Sequence, residues 1–175
     1  DRLHNMRTLG SMPRDKQLKI ASETMYLYAP LAHRLGLYAI KSELEDLYLK
    51  YTDTERYNFI EDKVSKSSAA RQKTTKEFAG PLEVPLKSAG LNFKIKGRTK
   101  SIYSIHTKMQ TQNIPFEEVY DLFAIRLILD APLAEEKSVC WKAYSIVTDF
   151  YKPNPDRLKD WVSTPKANGY ESLHT

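Results

Sequence analysis

Cysteine is nearly absent: Cys140 stands alone, so the chain makes no internal disulfide. Its neighbours Val139, Ala143, Ile146, Val147 and Phe150 recur at helical spacing. That predicts a small core side chain in a cytoplasmic protein, not a nucleophile. No apolar run nears the length of a bilayer span, and the first residues do not read as a secretory leader. No internal repeat or low-complexity tract is visible. Negative charge is missing from one stretch. Between Asn92 and Phe116 lie Lys94, Lys96, Arg98, Lys100 and Lys108, with no acid among them. The excess points to an anionic partner, nucleic acid or nucleotide phosphates; a solvated basic face explains it equally.

What is present suits a globular protein: 41% apolar and 28% charged residues. A length of 175 residues leaves room for one domain, or a small domain with a helical appendage. The first half reads helical. Ser11 and Pro13 are start signals, and Leu18, Ala21, Met25 and Tyr28 recur until Pro30 interrupts. After Gly36, the residues Ile40, Leu44, Leu47 and Tyr51 predict a second amphipathic helix. Thr52 and Glu55 fit a capping box for a third, with Tyr57, Ile60 and Val64 on one side. Its polar continuation over 66–76 predicts a projecting or linking helix that Gly80-Pro81 ends.

The second half changes character. Alternation over 92–96 predicts a strand, with Gly97 as a turn. Residues 100–110 read as a helix burying Ile102, Ile105 and Met109. Residues 122–129 are almost continuously apolar, the pattern of a central strand covered on both faces. Residues 137–150 give another amphipathic helix, and Pro153 and Pro155 open a loop. Strands alternating with helices predict an α/β or α+β sheet with flanking helices.

Several groupings could carry chemistry. Lys100, Ser104 and Lys108 are four apart and so share a helical stripe, with Arg98 just ahead. A helix N-terminus with these cations would cradle polyphosphate, although the glycines of a Walker A loop are missing. An exposed basic helix face is the plainer alternative. Asp121 heads the apolar run, where one carboxylate plus phosphate oxygens suits Mg²⁺; strand ends are also often simply polar. No convincing second acid accompanies it: Glu117 and Glu118 read as a surface turn, and Glu171 points away from Tyr170. Near the C-terminal end, Asn168-Gly169 is a turn signal. A following strand would put Tyr170, Ser172 and His174 on one face beside Lys159 and Lys166. Such a face could hold a base and its phosphates, or be an edge strand after a polar turn. At the other end, Asp1 and Asn5 would share a helix side, and His4 reads as an ordinary surface or core histidine.

Taken together, these segments resemble the bifunctional Rel/SpoT (RelA/SpoT homologue) enzymes, which make and degrade (p)ppGpp. Asp1-Arg2-Leu3-His4-Asn5-Met6-Arg7-Thr8-Leu9 is similar to the last motif of that family's HD hydrolase domain. Tyr28-Ala29-Pro30-Leu31-Ala32-His33-Arg34-Leu35-Gly36 and Glu43-Leu44-Glu45-Asp46-Leu47 resemble the helices leading out of it. The synthetase pattern is carried by three stretches. They are Gly97-Arg98-Thr99-Lys100-Ser101-Ile102-Tyr103-Ser104-Ile105 on to Lys108-Met109, Tyr120-Asp121-Leu122-Phe123-Ala124-Ile125-Arg126, and Pro165-Lys166-Ala167-Asn168-Gly169-Tyr170-Glu171-Ser172-Leu173-His174-Thr175.

The resemblance implies an α+β fold: a nucleotidyltransferase-like mixed sheet flanked by helices and preceded by a helical region. It divides the chain into an HD remnant (1–50), a helical linker (51–90) and a synthetase domain lacking its C-terminal part (91–175). It implies a GTP diphosphokinase, moving pyrophosphate from ATP to the 3′-hydroxyl of GDP or GTP with Mg²⁺. Arg98, Lys100 and Lys108 would hold ATP, and Asp121 would bind Mg²⁺. Tyr170 would stack on guanine, with Ser104, Lys159, Lys166, Asn168 and His174 around the acceptor nucleotide. Asp1 would be the surviving ligand of the hydrolase metal, Mn²⁺ in the intact parent. The family's second synthetase acid lies on a following strand that this sequence does not contain. No hydrolysis and weak or no synthesis are therefore expected of the segment alone. Membrane association and direct nucleic-acid binding are not expected.

Overall fold

Among the described residues, eight α-helices and four short strands form an α+β structure. The structure is a computed structural model, and it describes residues 1–119 and 121–175. Tyr120, which opens the second synthetase-like motif, lies outside the described residues. The chain divides into two compact units that do not follow sequence order: residues 1–68 with 99–123, and residues 69–98 with 124–175.

The first unit is helical. It contains α1 (Arg2–Arg7), α2 (Arg14–Glu23), α3 (Ala29–Arg34), α4 (Tyr38–Thr52), α5 (Thr54–Lys66) and α7 (Ile102–Gln112), with α6 (Ser68–Ser88) starting at its boundary. Met6, Leu9, Ala21 and Leu44 form one core; Ile60, Ile105, Met109, Phe116 and Val119 form another. Pro30 does not stop the chain's helical course. A π turn over Thr24–Tyr28 carries it into α3, with Pro30 in the first turn. Proline lacks an N–H and its ring crowds the carbonyl four residues back, and a widened turn relieves both problems. The cap of α5 is Asp53, whose carboxylate accepts the Arg56 N–H at 3.0 Å, and not Thr52. Thr52 is the last residue of α4 and its hydroxyl donates back to the Tyr48 carbonyl at 2.8 Å.

The second unit contains most of α6, the strands β1 (Phe93–Thr99) and β2 (Phe123–Leu129), α8 (Glu136–Phe150), and β3 (Lys159–Asp160) with β4 (Leu173–His174). Gly80-Pro81 does not end α6; both Pro81 and Pro85 lie inside it. Leu82 and Leu86 are buried against Ala143 of α8, with Phe78, Phe93, Ile95, Leu127 and Leu129 around them. Each such leucine contributes about 1.5–3 kcal/mol. Each proline costs roughly 3 kcal/mol, which the two leucines at most match, so the helix is held by the whole cluster that includes Phe78, Phe93, Ile95, Leu127 and Leu129.

Two antiparallel ribbons carry the strands, β1 with β2 and β3 with β4. The Lys100 N–H donates to the Leu122 carbonyl at 2.9 Å, and the Asp130 N–H to the Asn92 carbonyl at 2.9 Å, which fixes the first register. Two expectations fail here. Gly97 lies within β1 instead of turning the chain. And β2 is not covered on both faces: its burial alternates residue by residue, with Ala124, Arg126 and Ile128 exposed. Cys140 is only half-buried and lines a cleft of about 760 Å³ with Ala143, Leu173 and Glu171, so it is not the core residue its spacing predicts.

Candidate functional site

In the first unit the charges converge on Asp121. The Lys100 ammonium donates to one carboxylate oxygen at 2.6 Å and the Lys108 ammonium donates to the other. Lys108 comes from the second turn of α7. Lys100 comes from ahead of that helix, because Ser101 is its N-cap and the helix begins at Ile102. The expected stripe of Lys100, Ser104 and Lys108 along one helix therefore does not form, although its two lysines meet at the same acid. Burial pushes the Asp121 carboxyl up, but the two lysine hydrogen bonds and their charges outweigh it and hold the pKa at about 2. This pairing supports the fold fully above the ordinary carboxylate range. The support is lost as pH falls through about 2.

The N-terminus of α7 is not open to phosphate as the basic pattern predicts. The Tyr103 N–H donates to an Asp46 carboxylate oxygen at 2.7 Å, and the Ile102 N–H also bonds Asp46. The Ser104 N–H donates to the Ser101 hydroxyl at 3.3 Å, and the Ile105 N–H to the Ser101 carbonyl at 3.0 Å. The first-turn donors are thus all taken by protein groups. The Ser104 hydroxyl is itself 2.7 Å from that of Ser101.

The second unit gathers a ring system and unlike cations. Asn168-Gly169 makes the expected turn: Gly169 has φ +73°, a conformation glycine adopts freely. The Asn168 side chain accepts the Tyr170 N–H at 3.3 Å, which closes the turn. Tyr170 does not join the final strand, which is only Leu173–His174, yet its hydroxyl still meets His174 Nε2 at 3.1 Å. The two rings are edge to face at 6.0 Å. Lys159 lies opposite His174 in the β3–β4 register. Lys166 sits over the Trp161 ring at 4.8 Å and the Tyr170 ring at 5.6 Å. Partial burial lowers the His174 pKa, and the charges of Lys166, Lys159, Arg126 and Arg98 lower it further.

Arg98 is exposed on β1 with Lys94 and Lys96 on the same strand face. In the β1–β2 register, Lys96 falls opposite Arg126, a like-charged pair that sheets ordinarily avoid. Arg126 was not among the expected site residues. The signal for it is the outward alternation of Ala124, Arg126 and Ile128, which an almost unbroken apolar run conceals. Trp161 was also unforeseen.

The remaining expected site residue is Asp1. It is exposed at the head of α1 and makes no side-chain cap. No cluster of three or more His, Cys, Asp or Glu able to hold a metal occurs among the described residues. A resident metal therefore does not fit at Asp1. At Asp121, one carboxylate fits an ion that takes its remaining ligands from nucleotide phosphates and water.

Two family models match separate parts of the chain. Residues 97–175 match the family described as a region found in RelA / SpoT proteins. Residues 1–38 match the HD domain family. The chain belongs to the RelA/SpoT family. A probable guanosine-3′,5′-bis(diphosphate) 3′-pyrophosphohydrolase of Synechocystis is 43% identical over the whole chain, which covers 22% of that relative. The bifunctional (p)ppGpp synthase/hydrolase SpoT of Escherichia coli is 40% identical over the whole chain, covering 24% of its length. A GTP pyrophosphokinase of Myxococcus xanthus is 41% identical, again over the whole chain and 22% of the relative. This RelA/SpoT chain thus spans about a quarter of the length of the curated relatives it matches. No helix of the described residues is long and apolar enough to cross a membrane.

Proposed function

We propose that this chain carries nucleotide-binding parts of a cytoplasmic (p)ppGpp synthetase. The reaction is the Mg²⁺-dependent transfer of the β,γ-diphosphate of ATP to the 3′-hydroxyl of GDP or GTP. The observation that carries the reading is the convergence of Lys100 and Lys108 on Asp121. Two ammonium groups and one carboxylate in one place are what a metal–polyphosphate needs: cations for phosphate oxygens and an acid for the ion.

In the reaction, the ribose 3′-oxygen attacks the β-phosphorus and its proton passes to solvent water, the bond from that phosphorus to the α–β bridging oxygen breaks, and AMP leaves. Arg98, Lys100 and Lys108 neutralise the moving diphosphate. When bound, Mg²⁺ supplies further charge neutralisation and orients the phosphates. Asp121 would hold it, releasing the two lysines to the phosphate oxygens. With its oxygens given to the ion, Asp121 would bind and not serve as the base for the ribose hydroxyl. Tyr170 offers the guanine a stacking face, with Ser104, Lys159, Lys166, Asn168 and His174 assigned to the same nucleotide. The segments 1–50, 51–90 and 91–175 keep their roles as HD remnant, linker and synthetase. Hydrolysis of (p)ppGpp, with Mn²⁺ and Asp1 as one ligand, is a property of the intact parent.

A second reading is a nucleotide-binding fragment without turnover. It is favoured by the ion pairs of this site: among the described salt bridges, Lys100 and Lys108 meet no carboxylate but that of Asp121. A nucleic-acid module on Lys94, Lys96, Arg98 and Arg126 is a third. The deciding experiment is calorimetric titration with ATP–Mg²⁺ and GDP, followed by a product assay with labelled ATP. Binding of both nucleotides with slow or no product is expected. Failure of both nucleotides to bind overturns the reading. Binding of single-stranded RNA that falls steeply with salt and ignores Tyr170→Ala favours the nucleic-acid module.

A further inference from the structure

Among the described residues, the Asp46 carboxylate is the one acid that reaches α7 from another helix to bond its backbone, and the distance in sequence is long. Asp46 sits in α4, is half-buried, and accepts the Tyr103 N–H at 2.7 Å across 57 residues of sequence, together with the Ile102 N–H. These are the first two donors of α7. The same helix places Lys108 two turns later against Asp121. Tyr48, two residues after Asp46, meets the Tyr103 ring edge-on at 6.1 Å, so the contact is supported on its flank.

Resting on the reading of Lys100, Lys108 and Asp121 as the ATP side, we propose that Asp46 is a positioning residue for that cluster. Its carboxylate binds the positive end of α7 and fixes the helix along its axis. That sets where the Lys108 ammonium stands relative to Asp121. It also closes the helix N-terminus to phosphate, which leaves recognition of the polyphosphate to side chains. A fully solvated acid could have capped the helix more cheaply. Here burial pushes the Asp46 carboxyl up, Glu45 and Glu43 add to the rise, and only the Tyr103 and Ile102 N–H groups oppose it. Because α4 follows the segment that matches the HD family, the contact also joins that segment to the ATP-side helix.

The test uses Asp46→Ala and Asp46→Asn in the full chain. Backbone amide exchange at Ile102 and Tyr103 reports the cap, the NMR shift of the Lys108 ammonium at neutral pH reports its contact with Asp121, and calorimetry reports ATP–Mg²⁺ and GDP separately. In Asp46→Ala, exchange at both amides accelerates, the Lys108 ammonium signal moves toward that of a solvated lysine, and ATP–Mg²⁺ affinity falls about tenfold, the worth of one charge-assisted hydrogen bond. GDP affinity stays the same. Asp46→Asn keeps one acceptor oxygen and restores part of the ATP affinity without lowering the melting temperature. Faster exchange with an unmoved Lys108 signal overturns the proposal, and so does an equal loss of ATP and GDP affinity in Asp46→Asn. If wild-type chain binds no ATP, the functional reading fails instead, and the Lys108 signal still decides the role of Asp46.

Discussion

The two charged clusters solve opposite problems. In the first unit, Lys100 and Lys108 are already satisfied by Asp121. In the second, Arg98, Arg126, Lys159 and Lys166 surround His174 with no carboxylate hydrogen-bonded to any of them among the described contacts. The first can accept an anion only by exchanging partners, so its affinity for phosphate should depend on what occupies Asp121. The second carries uncompensated positive field and should take an anion directly. Electrostatics of the same sign thus leads to metal-dependent binding in one place and metal-independent binding in the other.

The comparison can be broken or sharpened experimentally. The largest effect is expected in the core under α7. Ile60 is fully buried against Ile105 and Met109, so Ile60→Ala should cost about 2–5 kcal/mol in chemical unfolding. If the clusters are separate in kind, the residual folded protein should lose ATP affinity before GDP affinity. Tyr170→Ala comes next. Loss of stacking should weaken GDP by about 1–3 kcal/mol, read by calorimetry, with ATP–Mg²⁺ unchanged. Equal weakening of both nucleotides would erase the distinction.

Asp121→Asn should act in opposite directions with and without metal. Freed from their carboxylate, Lys100 and Lys108 should bind ATP in EDTA up to about tenfold more tightly, while the gain from adding Mg²⁺ disappears. The variant should also lack the loss of stability that wild type shows as pH falls through about 2. The smallest effect concerns His174. Its pKa lies below 6.5 because of burial and four neighbouring cations. Bound phosphate offsets those cations and raises the pKa, so binding takes up a proton. GDP affinity should then rise about threefold from pH 7.5 to pH 6, checked by proton uptake in buffers of different ionisation heat. His174→Gln should flatten that dependence.

Much of this was legible in the sequence where chemistry and spacing are local. The Asn168-Gly169 turn, the meeting of Tyr170 with His174, and the buried side of α7 at Ile105 and Met109 all follow from short patterns. Local signals failed where burial overruled them. Gly80-Pro81 reads as a helix end, but Leu82 and Leu86 and the side chains around them keep α6 going past it. Ser101 was passed over as a cap, so Lys100 was assigned to a helix it precedes. Asp46 could not be found at all by local reading, because its partner Tyr103 is 57 residues away. Arg126 was hidden by apolar neighbours whose alternate members face outward.

The prolines of α6 also bear on how the chain is made. Without their N–H groups the helix has little reason to form until Ala143 arrives to cover Leu82 and Leu86. A ribosome adds about 5–20 residues each second. For several seconds, then, the leucines of α6 and the apolar face of β1 emerge together with nothing from α8 to bury them. That interval, before translation reaches α8, is when this part of the chain is most open to chaperone capture and to wrong pairing.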